Sequence, residues 1–280
     1  MASTDRDGYG PVIVPVDGTA STRGLVPGAA FAQRTGADLL VVSAVVDGSS
    51  VVERERDLKE IFAATGLAGA VMVSEDGDAA ELVTESVTYA ADAVVCVATR
   101  EPGDVPGSLL GRTAAAVIRA VDVPLILVGP RVSVDGAWRW NELALCIEDA
   151  ASDAALPFAA DWAAALGVRL RLVHVLDRAK TLDLRSRYPQ VHFDDEGYVR
   201  SMASDLIASR SNGDPAVETE VLYGSRPERA MAEFLERHPD TMPFVAIRGH
   251  DGWERLAARS LATRVMHEST SPVLLVTDAS

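Results

Sequence analysis

Residues Val12–Gly18 read VIVPVDG, an apolar run that ends in an acidic residue, and the chain repeats this arrangement at Leu143–Asp149, LALCIED. In both copies a helical pattern follows, and a glycine stands 19 residues after the acidic residue, at Gly36 and at Gly167. A glycine directly after a helical pattern is typical of the left-handed residue that ends a helix. The sequence therefore predicts two copies of one strand–helix unit.

The far ends of the two copies also match. Pro124–Val128 reads PLILV and Pro272–Val276 reads PVLLV, and each is expected to form the last strand of its copy. The second copy is longer because it carries about twenty additional residues between Asp177 and Pro215. Matched landmarks in the same order at both ends indicate an internal duplication.

Each copy alternates short apolar runs with helical patterns. In the first copy the predicted strands are 11–16, 39–46, 69–73, 93–98 and 124–128, and the predicted helices are 20–35, 51–65, 78–90 and 110–121. In the second copy the predicted strands are 142–148, 168–176, 217–222, 243–248 and 272–276, and the predicted helices are 152–166, 195–210, 226–238 and 258–269. Continuously apolar strands are typical of a parallel sheet covered by helices on both faces. We therefore predict an α/β fold of two tandem doubly wound domains, each with a five-stranded, mainly parallel sheet.

The predicted domains are residues 1–130 and 142–280, joined by a linker at 131–141. The linker contains Trp138 and Trp140, which we interpret as packing anchors at the domain junction. The second domain has an insertion near 177–215, which would either cover a cleft as a lid or extend the domain surface.

The composition excludes several function classes. The 280 residues include 41 acidic and 26 basic side chains, which give a formal charge of −15. A nucleic-acid binder needs lysines and arginines to displace counterions, and an anionic membrane surface would repel this charge. No apolar run is long enough to span a bilayer, and the N-terminal residues lack the apolar core of a signal peptide. We expect a soluble cytoplasmic protein that binds neither nucleic acid nor membrane.

The residues that most often carry chemistry are scattered along the chain. Cys96 and Cys146 each lie inside a predicted apolar strand and are expected to be buried free thiols. The histidines include no pair at helical spacing and have no cysteine nearby, so no metal site is predicted. No general base is visible either, and we predict that the protein is not an enzyme.

The strand that ends in Asp17, the length of each copy and the two closing segments resemble the universal stress protein family in its tandem two-domain form. The closing segments are Leu109–Val128 and Ala258–Val276, each of which ends in a strand that follows a proline. The resemblance covers nearly the whole chain and implies the adenine nucleotide alpha hydrolase-like fold. It also implies that strands 124–128 and 272–276 pair edge to edge within the molecule, as an intramolecular pseudo-dimer.

ATP-binding members of this family share a phosphate loop after the fourth strand, in which Gly, two residues, Gly, nine residues and Gly precede Ser or Thr. Backbone N–H groups approach phosphate closely at such glycines, and the hydroxyl adds a donor at the start of the next helix. The four positions are Ala98, Glu101, Gly111 and Arg112 in the first copy, and Ala246, Gly249, Arg259 and Ser260 in the second. Neither copy therefore carries the complete loop.

The departures weaken the expected phosphate site in different ways. Glu101 puts a carboxylate where phosphate oxygens would lie, and Arg112 removes the hydroxyl but could pair with phosphate instead. Thr113 offers a substitute hydroxyl, whereas Arg259 replaces a glycine whose lack of a side chain matters. The candidate ligand-binding positions, with ATP as the candidate cofactor, are Pro15, Asp17, Ala98, Gly111, Arg112, Thr113, Gly249 and Ser260.

From this resemblance we predict a non-enzymatic stress-response or regulatory protein with degenerate nucleotide-binding loops. Two alternatives stay open: an ATP-binding stress sensor that uses the cleft of the first domain, and a slow ATPase. The expected partners are a small-molecule or nucleotide ligand and an unidentified protein, and further pairing into a homodimer is left open.

Overall fold

A computed structural model describes residues 9–16, 20–45, 50–75, 79–90, 92–99, 112–133, 138, 140–147, 155–176, 197, 200–201, 204–205, 216–248, 265 and 267–278. Within these ranges the chain forms one ten-stranded sheet with helices packed against both faces. Most of the predicted insertion at 177–215 lies outside the described residues, as do most of the predicted helices 195–210 and 258–269. No helix within the described ranges is long and apolar enough to cross a membrane.

The strands of the first half are β1 (Val12–Pro15), β2 (Leu39–Ala44), β3 (Ala70–Ser74), β4 (Val94–Ala98) and β5 (Leu125–Val128). Its helices are a 3-10 helix (Ala20–Gly24), α1 (Leu25–Thr35), α2 (Val51–Thr65), α3 (Ala79–Tyr89) and α4 (Arg112–Ala120). The strands of the second half are β6 (Glu142–Ile147), β7 (Arg169–Leu176), β8 (Val217–Tyr223), β9 (Thr241–Arg248) and β10 (Val273–Asp278), and its helices are α5 (Leu156–Leu166) and α6 (Pro227–Arg237). All ten predicted strands are present.

Several elements begin or end a few residues from their predicted bounds, and at two of them proline explains the difference. The predicted helix 20–35 begins as a 3-10 turn and becomes α-helical only at Leu25, because Pro27 has no N–H to bond the carbonyl oxygen of Arg23. Strand β9 begins at Thr241, before Pro243 rather than at it. The strand tolerates this proline because its ladder with β10 starts only at the next residue, Phe244.

The sheet order is β3-β2-β1-β4-β5-β10-β9-β6-β7-β8, so each half has the same internal order, third, second, first, fourth, fifth. Neighbouring strands within each half are parallel. The direction of winding reverses between β1 and β4, and again between β6 and β9. In open α/β sheets such switch points form a crevice at the carboxyl ends of the strands, where ligands bind. The fold therefore offers one candidate crevice in each half.

The two halves join where β5 and β10 run antiparallel. Leu127 faces Val273, and Leu125 faces Leu275, with both pairs buried. The pairing predicted for strands 124–128 and 272–276 is therefore present. It removes two sheet edges that would otherwise expose unpaired backbone groups.

An aromatic cluster fills the space between the helices of the two halves. Phe31 of α1 lies 6.3 Å from Trp162 of α5 and 6.1 Å from Trp140, measured between ring centroids. Tyr9 packs on Trp162 at 5.5 Å, and Trp138 stacks on Trp140 at 6.2 Å. Both linker tryptophans are thus packing anchors, as predicted, and the core includes residues from both halves.

Arginines reinforce this junction through backbone carbonyls. The guanidinium of Arg34, near the end of α1, donates to the carbonyl oxygens of Leu166 and Gly167, at 3.1 and 3.4 Å, where α5 ends. A cation at the carboxyl end of a helix is favourable because that end carries partial negative charge. Arg23 donates to the carbonyl oxygen of Val132 at 2.6 Å and so holds the start of the linker.

The helix ends follow the sequence signals. Gly36 and Gly167 have φ of 71° and 62°, which confirms their prediction as left-handed helix caps. The same cap ends α2 at Gly66. At the other end of α2, Ser50 and Glu53 form a reciprocal capping box, in which each side chain accepts from the other's backbone N–H.

Candidate functional site

The crevice of the first half lies where β1 and β4 are neighbours, and α1 packs tightly behind it. A Cβ added to Gly28 would lie 2.7 Å from Cγ2 of Val14 and 3.3 Å from Cβ of Cys96. Only a residue without a side chain allows α1 to approach the two strands this closely. The same contact seals Cys96, whose thiol donates to the carbonyl oxygen of Gly24 at 3.3 Å.

The cysteines are free thiols, as predicted. Cys96 is fully buried, and this burial raises its pKa because the thiolate would lose its hydration. It is therefore a packing residue rather than a nucleophile. Cys146 is only half-buried, so the predicted full burial is wrong for this residue.

At the carboxyl end of β1 an arginine from α2 reaches the sheet. The hydroxyl of the buried Ser43 donates to the carbonyl oxygen of Val16 at 2.6 Å. The guanidinium of Arg54 donates through Nε to Oγ of Ser43 at 3.0 Å and through Nη2 to the Val16 carbonyl oxygen at 3.3 Å. A positive charge is thus held directly beside the residue that precedes Asp17.

Two hydrogen bonds from Thr99 to β5 hold the carboxyl end of β4 in the first half. Ala98 is the last residue of the strand and faces Val128. The backbone N–H and the hydroxyl of the buried Thr99 both donate to the carbonyl oxygen of Val128, at 2.9 and 3.2 Å. The chain then leaves the sheet where the phosphate loop of the family begins, and α4 starts at Arg112, where that loop ends.

The second half differs at the equivalent point. Ala246 faces Val276, but the ladder continues for two more residue pairs, ending with Arg248 opposite Asp278. The position of the first loop glycine therefore lies inside a paired strand, not at its end. Phosphate binding by backbone N–H groups requires those groups to be free of the sheet. At Ala246 the backbone is paired within the ladder between β9 and β10.

The structure places only part of the predicted site. Pro15 ends β1, buried and opposite Val42, and Ala98 ends the neighbouring strand β4, so these two share the first crevice. Arg112 and Thr113 form the first turn of α4. The remaining predicted positions, Asp17, Gly111, Gly249 and Ser260, lie outside the described residues, as do Glu101 and Arg259.

Sequence reasoning missed Arg54 and Ser43. Arg54 is the fourth residue of a helix rich in exposed charges, and nothing in that pattern distinguishes it from a surface arginine. Ser43 interrupts an otherwise apolar strand, and that interruption is the one signal in the sequence that could have pointed to a buried polar contact.

A charged cluster lies at the other end of the strands from the second crevice, at the amino ends of β6, β7 and β8. Arg171 forms two hydrogen bonds of 2.8 Å with the carboxylate of the buried Glu142. It also contacts Glu218 at 2.6 Å and Glu220 at 3.1 Å, and Thr241 donates to Glu142 at 3.0 Å. Burial opposes ionisation of Glu142, but the bonds and charge of Arg171 outweigh it, so the pKa of Glu142 lies below its ordinary value. Because the charged groups of this cluster pair with one another, we interpret its role as structural.

No group of three or more His, Cys, Asp or Glu side chains is placed to hold a metal ion in the described part of the chain.

Comparison with known proteins agrees with the fold. Residues 143–277 match the universal stress protein family. A universal stress protein from Archaeoglobus fulgidus DSM 4304 is similar in structure over 95% of this chain and 98% of its own, with a TM-score of 0.60 and 16% identity. A functionally unknown protein from Pseudomonas aeruginosa PAO1, PA1789, is similar over 95% of this chain and 92% of its own, with a TM-score of 0.54 and 12% identity. No curated protein matches the chain.

The structural similarities show the fold of the chain, and the family match shows the class of protein to which its second half corresponds. Residues 143–277 belong to the universal stress protein family. The first half has the same strand order as that region, and both lie in one sheet.

Proposed function

We propose that the protein is a non-enzymatic regulatory protein of the stress response, in which neither crevice binds ATP through the family's phosphate loop. We further propose that the first half is a diverged second copy of the family domain. Its strand order, its pairing with β10 and its glycine helix cap at Gly36 support this reading.

The observation that carries the proposal is the extended ladder between β9 and β10. A nucleotide bound in the usual way would have to replace the pairs Ile247–Thr277 and Arg248–Asp278. Opening them exposes backbone groups that the nucleotide must then satisfy, which opposes binding. Further along the loop, Arg259 adds a side chain where the family pattern has glycine. Both features act against nucleotide binding in the second crevice.

In the first crevice, the argument rests on charge and on the missing glycines. Glu101 carries a negative charge within the loop, where it would repel a triphosphate. Ala98 occupies the first glycine position and is already held in the ladder opposite Val128. Arg112 replaces the Ser or Thr whose hydroxyl would donate to a phosphate in the family's pattern.

A second candidate function, an ATP-binding sensor that uses the first crevice, is favoured by one specific contact. Arg54 holds a guanidinium beside the carboxyl end of β1, where it could neutralise an anionic ligand. In addition, β4 ends at Ala98 and α4 begins at Arg112, the two positions at which the family's loop pattern starts and ends.

The nucleotide content of the purified protein separates these functions. The chain is purified without added nucleotide, denatured, and its released small molecules are separated by ion-exchange chromatography. We expect no stoichiometric adenine nucleotide and no ATP hydrolysis above the buffer rate. One retained ATP per chain, lost in the Arg54→Ala variant, would support the sensor and contradict the main proposal. Hydrolysis that scales with protein concentration would support an ATPase.

A further inference from the structure

A second cavity lies at the other end of the strands. A groove of about 1050 Å³ opens at the amino ends of β2 and β3, between the carboxyl ends of α1 and α2. Its volume matches the cavities that hold small organic ligands. It is separated from the candidate crevice by the length of the sheet, because that crevice lies at the carboxyl ends of the strands.

Small side chains give the groove its width. The residues that line it with at most one side-chain carbon are Ala29, Ala30, Ala32, Ala37, Gly66, Ala68, Gly69 and Ala70. Larger apolar side chains, among them Leu39 and Leu67, also face it. Such walls favour a flat apolar body, which could lie along α1 without displacing a large side chain.

The electrostatics of the groove favour a positive charge. Helices α1 and α2 both end there, and the carboxyl end of a helix carries partial negative charge. Asp38 adds an exposed carboxylate, and none of the described lining residues is Lys, Arg or His. Arg34, in the last turn of α1, is directed away to the carbonyl oxygens that end α5.

An aromatic ring completes the site. Trp138 lines the groove, and its ring stacks on Trp140 with an interplanar angle of 24°. The stacking fixes the orientation of an indole that is only partly buried. Tryptophan is the side chain whose ring face attracts cations most strongly.

From this combination we propose that the groove binds an organic cation with a flat aromatic body. The ring of Trp138 would contact the body and the positive charge, and Asp38 with the two helix ends would balance the charge. The site is independent of the nucleotide crevice and of the function proposed for it.

The test uses two three-ring probes of the same size and opposite charge. Isothermal titration compares 9-aminoacridine, a cation at neutral pH, with 9-anthracenecarboxylate, an anion. We expect one 9-aminoacridine to bind per chain with micromolar affinity, and the anion to bind at least about tenfold more weakly. Equal affinities, or binding of several cations per chain, would overturn the proposal.

Two charge-matched variants distinguish this site from attraction by the whole acidic protein. Asp38→Asn should weaken 9-aminoacridine binding about fivefold. Glu85→Gln removes one exposed charge from α3, on the other face of the sheet, and should leave the affinity unchanged. Equal losses in the two variants would mean that only the net charge matters and would contradict the proposal.

A steric and an aromatic variant test the location. Ala30→Phe fills the groove and should abolish binding, and Trp138→Leu should weaken it about tenfold or more, with Trp138→Phe in between. Thermal unfolding identifies any variant that does not fold. If the Ala30 and Trp138 variants do not fold, the affinity of Asp38→Asn, a substitution at an exposed position, decides the test. Unchanged affinity in folded Ala30→Phe would place the probe elsewhere and overturn the proposal.

Discussion

Leu274 of β10 lies directly opposite Ile126 of β5, and both side chains are completely buried where the two strands run antiparallel. Every other pairing between described strands is parallel. The two residues belong to one hydrophobic core that also includes Phe31 and Trp162. The junction is therefore part of the core rather than a loose contact between two units.

We expect the two halves to unfold together because they share this core. Leu274→Ala should lower the free energy of unfolding by about 3 kcal/mol through lost burial and the cavity it leaves. Val52→Ala, at a position that is 75% exposed, should change it by less than about 0.5 kcal/mol. Thermal unfolding followed by far-ultraviolet circular dichroism and by tryptophan fluorescence should give one coincident transition. Two separated transitions would show that the halves are independent.

The tight contact between α1 and the sheet predicts that replacing Gly28 lowers the stability of the protein. Alanine is ordinarily favoured over glycine inside a helix by about 1 kcal/mol. Here the added Cβ would lie 2.7 Å from Cγ2 of Val14, so Gly28→Ala should destabilise the protein by about 1–3 kcal/mol. Chemical denaturation measures this loss.

A double-mutant cycle separates this clash from other causes. Val14→Ala removes the atom that the new Cβ meets, so the two substitutions together should cost less than the sum of their separate costs. Gly36→Ala provides the control, since its cost arises from a φ of 71° and not from a neighbour. It should be additive with Val14→Ala. Additive costs for Gly28→Ala and Val14→Ala would argue against the contact.

The Glu142–Arg171 pair predicts a specific loss of stability in acid. The pKa of Glu142 is lower in the folded chain than its ordinary value of about 4.3, so its stabilising effect is complete above that value and is lost as pH falls through the folded pKa. Glu142→Gln should cost about 3 kcal/mol at pH 7, because Arg171 loses its buried partner. The difference between wild type and variant should shrink below about pH 4.

Urea denaturation between pH 3 and pH 7 measures this dependence. Glu218→Gln is the matched control, since it removes a carboxylate from the same cluster at a position that is 41% exposed. It should cost about 1 kcal/mol or less. A Glu142→Gln difference that stays constant over this pH range would contradict the assignment.

Much of the fold follows from local sequence patterns. The run Val94–Ala98 is continuously apolar because helices cover both faces of its strand, and this pattern located all ten strands. Gly36 and Gly167 stand at helix ends because those positions require a left-handed backbone. The repeat in the sequence corresponds to a strand order that both halves share.

The candidate site was less accessible to prediction because its contacts are not local. Arg54 reaches Val16 across 38 residues of sequence, and no spacing rule connects them. The extension of β10 to Asp278, two residues beyond its predicted end, depends on its register with β9, which a single-strand pattern does not contain. The same holds for Glu142, which looks like a strand-end acid until Arg171 is placed beside it.

The central claim, that the loops no longer support nucleotide binding, is tested most directly by isothermal titration of magnesium ATP. The wild-type chain is compared with the variant Ala98→Gly/Glu101→Gly/Arg112→Ser, which restores the family's spacing in the first half. We predict no measurable heat of binding for the wild type and one bound ATP for the restored variant. Micromolar ATP binding by the wild-type chain would contradict the account.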